Sequence, residues 1–146
     1  MLSSSSNTIW YHSAPQYWIR AMNFIPEFRG REAKISSHVK TLIASNLKKR
    51  DQIICVLNSS LFYGYFVITS NDRNLTSKTI HSINIDLENL SNSHAKLLTE
   101  YCSELMDDLQ PHSKIKNTEY EKTGTVVYQE FFPEYSKSIL DKIVAF

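Results

Sequence analysis

The chain has 146 residues, 42% of them hydrophobic and 12% aromatic, which suits one domain with a core of its own, spanning 1–146, and excludes a largely disordered segment. No uncharged apolar run reaches the roughly 18 residues of a membrane helix, and residues 1–6 show neither part of a secretory signal, so the expectation is a cytoplasmic protein with no membrane contact and a frayed start over 1–7. The formal charge of +1 hides an asymmetry, because residues 1–50 hold eight Lys or Arg against two acids and the remainder eight against thirteen; a basic half fits a polyanionic partner, and equally an ordinary solvated surface.

In chain order, residues 8–14 and 16–25 are rich in aromatic and β-branched side chains around Pro15, a pattern that predicts a pair of hairpin strands. In the second, Trp18, Arg20, Met22 and Phe24 should face one way and Ile19, Ala21, Asn23 and Ile25 the other, with Pro26 as the stop. A basic turn follows over 27–34, then a short strand over 40–44. Ser45 or Asn46 is a plausible cap for a helix over 48–57, with Leu47, Ile54, Val56 and Leu57 available to the core. Asn58, Ser59 and Ser60 either cap a second helix over 61–69 or leave the two continuous, and Tyr63 and Tyr65 read as core. Past a polar turn at 70–74, residues 75–80 offer a helical turn and 83–85 a short extended piece. The strongest helical periodicity begins at Ser91, with Ala95, Leu98, Tyr101, Cys102, Leu105, Met106 and Leu109 inward and Glu100, Glu104, Asp107 and Asp108 on a solvated acidic face, closed by Pro111. Residues 114–120 and 125–132 bracket Gly124 as a second hairpin, and Ser136 should cap a last helix over 137–145. The expected fold class is α+β: a small antiparallel sheet of hairpins packed with three to four helices.

No Gly-rich phosphate loop is present, the five histidines lack metal-ligand spacing, and no motif pairs a nucleophile with a base. Cys55 and Cys102 read as two buried free thiols. Catalytic and metal residues are therefore expected to be none, and no activity is expected of the chain alone. Two basic groups are candidates for nucleic-acid contact. Arg29, Arg31 and Lys34 around Gly30, with Ser36, Ser37, His38 and Lys40, offer guanidinium, ammonium and hydroxyl groups to phosphate. Arg73 and Asn74, with Lys78, offer bidentate partners for guanine and adenine. Each has a plain alternative, an exposed loop for the first and a turn closed by Asp72 for the second.

Leu57-Asn58-Ser59-Ser60-Leu61-Phe62-Tyr63 followed by Ser70-Asn71-Asp72-Arg73-Asn74-Leu75 resembles the "LNSSLFYW…SDxRNLN" signature of the TaqI-like carboxy-terminal specificity domains of adenine-specific (N6) DNA methyltransferases in restriction-modification systems. Residues 10–11 with 17–26 resemble that family's aromatic entry, 36–40 its "SSxxK" segment, and 124–129 with 136–143 its "GkvvYq…SKpIiDeID" ending, in the same order. The resemblance implies a target-recognition domain that holds double-stranded DNA for a methyltransferase catalytic subunit. S-adenosylmethionine would belong to that separate domain, leaving no cofactor in this chain. Gly64 stands where the family commonly has an aromatic residue, the Asn/Asp-Pro-Pro-Tyr/Phe catalytic motif is absent, and the chain ends before the family's helical tail. The competing class is a protein-interaction module that docks on a partner subunit without touching DNA.

Overall fold

The computed structural model describes residues 7–13, 18–30, 38–69, 80, 91–120 and 124–145. In chain order the elements are β1 (Thr8–His12), β2 (Ala21–Met22), β3 (Phe28–Arg29), β4 (Val39–Ile43), α1 (Leu47–Asn58), α2 (Ser60–Thr69), α3 (Asn92–Leu109), β5 (Lys114–Tyr120), β6 (Gly124–Glu130), a 3-10 turn (Pro133–Ser136) and α4 (Lys137–Ala145). The fold is α+β, but its strands form two antiparallel three-stranded sheets, ordered β2-β1-β4 and β3-β6-β5, where one was expected.

The first sheet is the predicted hairpin joined by β4. Its register sets Trp10 opposite Met22 and Thr41, and Tyr11 opposite Ala21 and Lys40. Regular pairing in the second strand is confined to two residues, and the predicted alternation does not divide it into a wet and a dry side. Ile19, Ala21, Met22 and Phe24 are all buried, because the segment lies between α1 and the second sheet. Asn7, expected in the frayed start, accepts the N–H of Ala44 at 2.9 Å. The expected basic turn contributes β3 instead, with Phe28 opposite Tyr128 and Arg29 opposite Val127.

Short-range polar chemistry sets the helix ends. Asn46 Oδ1 accepts the Lys49 N–H at 2.8 Å, a side-chain N-cap. Ser59 donates to the Val56 carbonyl at 2.6 Å and accepts the Phe62 N–H at 3.2 Å, ending α1 and starting α2 with one hydroxyl. The helices therefore bend by 66° instead of running on. Ser91 caps α3 through the N–H of His94, and Gly124 takes φ +75° at the turn into β6, a conformation that costs a side-chain-bearing residue energy.

The core lies between α1, α3 and the inner face of the first sheet, with Ile9, Ile54, Leu57, Phe62, Leu105 and Leu109 fully buried. Truncating one such side chain to Ala costs about 2–5 kcal/mol. Cys55 and Cys102 are free and buried in the α1–α3 contact. The hydrogen bond to the Cys55 thiol, burial and the nearby Asp51 carboxylate push the Cys102 thiol far up, which keeps it protonated and inert.

Tyr63 and Tyr65, half-buried, pack against the core as expected. Three expectations of detail are corrected. Leu47 is 42% exposed. Asp108 does not sit free on a solvated face, because it accepts the Ser136 hydroxyl and stands 3.5 Å from His112. Ser136 therefore does not cap α4; it is fully buried against Asp108, and the 3-10 turn leads into the helix. The expected turn at 70–74, the helical turn at 75–80 other than the buried Ile80, and the extended piece at 83–85 lie outside the described residues. Among the described residues, no single helix is long and apolar enough to cross a membrane.

Candidate functional site

The two sheets face one another across a groove. On the first sheet, His12, Met22 and Val39 share the face opposite Ile9 and Tyr11; on the second, Phe28, Val126 and Tyr128 share one face, and together they line a cavity of about 290 Å³. His12, Arg20 and Phe131 continue from it into a larger cavity of about 740 Å³. Trp18 walls that cavity from the first sheet, Asn58, Ser59, Ser60 and Tyr63 from the α1–α2 junction, and Glu134, Lys137 and Asp141 from the final turn and α4.

Asn58 holds this geometry. Its Oδ1 accepts the Ala21 N–H at 3.3 Å, and its Nδ2 donates to the Ala21 carbonyl at 2.8 Å and to the Ile54 carbonyl at 2.9 Å. The α1–α2 corner is thereby fixed to the strand beside Arg20. At the other wall, Gln129 N donates to the Glu27 carbonyl at 2.9 Å and Gln129 Oε1 accepts the Glu27 N–H at 3.1 Å, tying β3 to β6.

The groove holds cations and aromatic surface together. Arg20 is half-buried; burial draws its pKa below the ordinary arginine value, opposed by the charges of Glu130 and Tyr128. Glu130 also pairs with Lys116 across the β5–β6 hairpin, and this hydrogen bond raises the Lys116 ammonium pKa. The imidazoles of His12 and His38 stack with centroids 5.8 Å apart, joining the two strands through the Ser13 N–H to the His38 carbonyl at 2.7 Å. Trp18 Nε1 is buried and has no hydrogen-bond partner among the described residues. Among the described residues no group of three or more His, Cys, Asp or Glu side chains could hold a metal ion.

Of the residues singled out from the sequence, three are described, and pairing register separates them. His38 enters the groove. Arg29 does not, because Phe28 beside it points into the groove and successive strand residues face opposite ways. Lys40 is exposed and turned from the groove for the same reason, since Val39 faces inward. Arg31, Lys34, Ser36, Ser37, Arg73, Asn74 and Lys78 lie outside the described residues. Sequence reasoning missed His12, Trp18 and Arg20 as site residues; the available signal was Arg20 itself, a cation inside an aromatic strand.

Against protein-family models, curated proteins and solved structures, the chain has no match.

Proposed function

We propose that this chain is the DNA target-recognition part of an adenine-N6 DNA methyltransferase of a restriction-modification system. It holds double-stranded DNA, while S-adenosylmethionine and methyl transfer belong to a separate catalytic subunit. One observation supports this reading above others: the segments that resemble the specificity-domain family, far apart in the chain, meet on one groove. Trp18 and Arg20 come from the aromatic entry, His38 from the "SSxxK" segment, Asn58, Ser59, Ser60 and Tyr63 from the "LNSSLFY" segment, and Tyr128, Lys137 and Asp141 from the last block. A concave surface assembled from distant segments is where a ligand usually binds.

The test is duplex binding by the purified chain, alone and with a methyltransferase catalytic subunit, across a salt series. Binding that weakens steadily with salt, with a log–log slope of about −0.9 per phosphate neutralised, is the expected result. No binding in either form, or binding indifferent to salt, would sink the proposal. Replacing Arg31 should weaken binding uniformly across sequences, whereas replacing Arg73 should also relax sequence preference.

The protein-interaction reading draws on a different feature. Helix α2 carries no charged side chain, and it leaves Leu61 70% and Ile68 85% exposed, seven residues apart on one stripe. Co-elution with a catalytic subunit in nuclease-treated buffer, with no duplex binding by either form, would select that reading.

A further inference from the structure

The groove contains chemistry that grip on a duplex backbone does not require. A cavity of about 740 Å³ has the size of a small-molecule site, about 300–1,000 Å³. Its lining combines charged and aromatic groups. Arg20 brings a guanidinium to it and His12 an imidazole. Glu134 and the Lys137–Asp141 pair offer carboxylate acceptors. The rings of Trp18 and Tyr63 belong to the same lining and offer flat apolar surface.

We infer that this groove binds a single nucleotide unit, its planar base against Trp18 and Tyr63, its phosphate toward Arg20 and His12, and its amine-bearing edge toward Glu134 and Asp141. Aromatic walls accept any base through its π-face, and a guanidinium is the side chain best matched to phosphate. The inference rests on the groove's own chemistry and stands whether or not the chain grips a duplex. The same nucleotide can arrive free in solution or as one unstacked residue of a strand.

Trp10→Phe leaves Trp18 as the sole tryptophan, so its fluorescence reports the groove directly. In that background, the full chain is titrated with deoxyadenosine monophosphate, a short single-stranded oligodeoxyadenylate, deoxyadenosine and inorganic phosphate. Saturable quenching by the monophosphate or the oligonucleotide, at least about tenfold tighter than by nucleoside or phosphate alone, is expected, since the base and the charged hydrogen bonds each contribute that much. Saturation by both ligands assigns a free-nucleotide site; saturation by the oligonucleotide alone assigns a strand-borne nucleotide. Arg20→Gln should weaken binding about tenfold or more, and Arg20→Lys, which keeps the charge, less than that; circular dichroism melts check that both variants fold. Should the Gln variant not fold, the Lys variant and Tyr63→Leu, which removes a stacking wall, carry the test. No saturation up to about 10 mM of either nucleotide ligand, equal affinity for phosphate alone, or wild-type affinity in folded Arg20 and Tyr63 variants would overturn the inference. None of these titrations contains a duplex, so their failure leaves the target-recognition reading to its own salt series.

Discussion

Asn58→Leu is the sharpest test of how the fold is held. Strand β2 is an outer strand of its sheet, so on one side no strand among the described residues pairs with Ala21. The Asn58 carboxamide takes that place as a detached peptide group, accepting from the Ala21 N–H and donating to its carbonyl. Asn58 is 2% exposed and Ala21 fully buried, so water cannot substitute. Leucine of similar volume would strand both Ala21 groups, and each stranded group costs about 1–3 kcal/mol, so the expected loss is about 3 kcal/mol or more. With a urea slope of about 1.5–2 kcal/mol per molar, the midpoint in a circular dichroism titration should fall by about 1.5–2 M with little change in slope. Asn58→Asp separates hydrogen bonding from packing. It keeps an acceptor for Ala21 N–H but points a second oxygen at two carbonyls. Burial and those carbonyls raise the folded-state pKa of the new carboxyl above its unfolded value, so its protonated form, which regains one donor, is favoured. The folded state then binds more protons than the unfolded state, and the Asp deficit relative to wild type should shrink as pH falls from about 7 to about 4. A Leu midpoint within about 0.3 M of wild type, or an Asp deficit that ignores pH, would refute the peptide-mimic account.

Gly64 and Gly124 should respond in opposite directions to alanine. At Gly64, in helix α2, an added Cβ meets nothing within 4 Å, so Gly64→Ala should stabilise by about 0.5–1 kcal/mol and raise the melting temperature. At Gly124, φ +75° makes Gly124→Ala destabilising by about 1 kcal/mol or more, read from the same melts. Native Cys55 and Cys102 should resist a thiol reagent until denaturant is added, because both are buried and Cys102 is held protonated; rapid labelling of the folded chain would contradict this. Stability should fall in alkali. Cys102 starts from 9.0 and Tyr11 from 10.0 in an unperturbed setting, and both are raised in the fold. Above about pH 9 the unfolded chain therefore releases protons that the folded chain retains, and up to about 1.4 kcal/mol per pH unit per group is lost. Cys102→Ala should flatten the first part of that decline, as measured by urea midpoints across the pH series.

What the sequence made legible was local. Asn46 and Ser91 declare helix starts because a cap acts over three residues, and the inward face of α3 declares itself because its apolar residues repeat at helical spacing. Ser136 has the same signature as those caps and misleads, because a tertiary acceptor, Asp108, outcompetes the local backbone. The second sheet was hidden for a related reason. Nothing near Phe28 and Arg29 announces a strand; their partner β6 lies most of the chain away. The basic count flagged Arg29, His38 and Lys40 alike, yet a one-residue difference in strand parity decides which of them faces the groove, and parity is fixed by pairing and not by composition. Arg20 escaped notice because Glu130, the carboxylate that accompanies it, is equally remote.

Because the larger cavity is lined from His12 through to Asp141, no excised peptide can reproduce it. A synthetic Leu57–Tyr63 segment would display the signature residues with nothing opposite them, and a proteolytic cut ahead of Pro133 would strip away an entire side while sparing both sheets. Two co-expressed halves would regain ligand affinity only on reassembly, which makes occupancy of the groove a direct reporter of native long-range assembly.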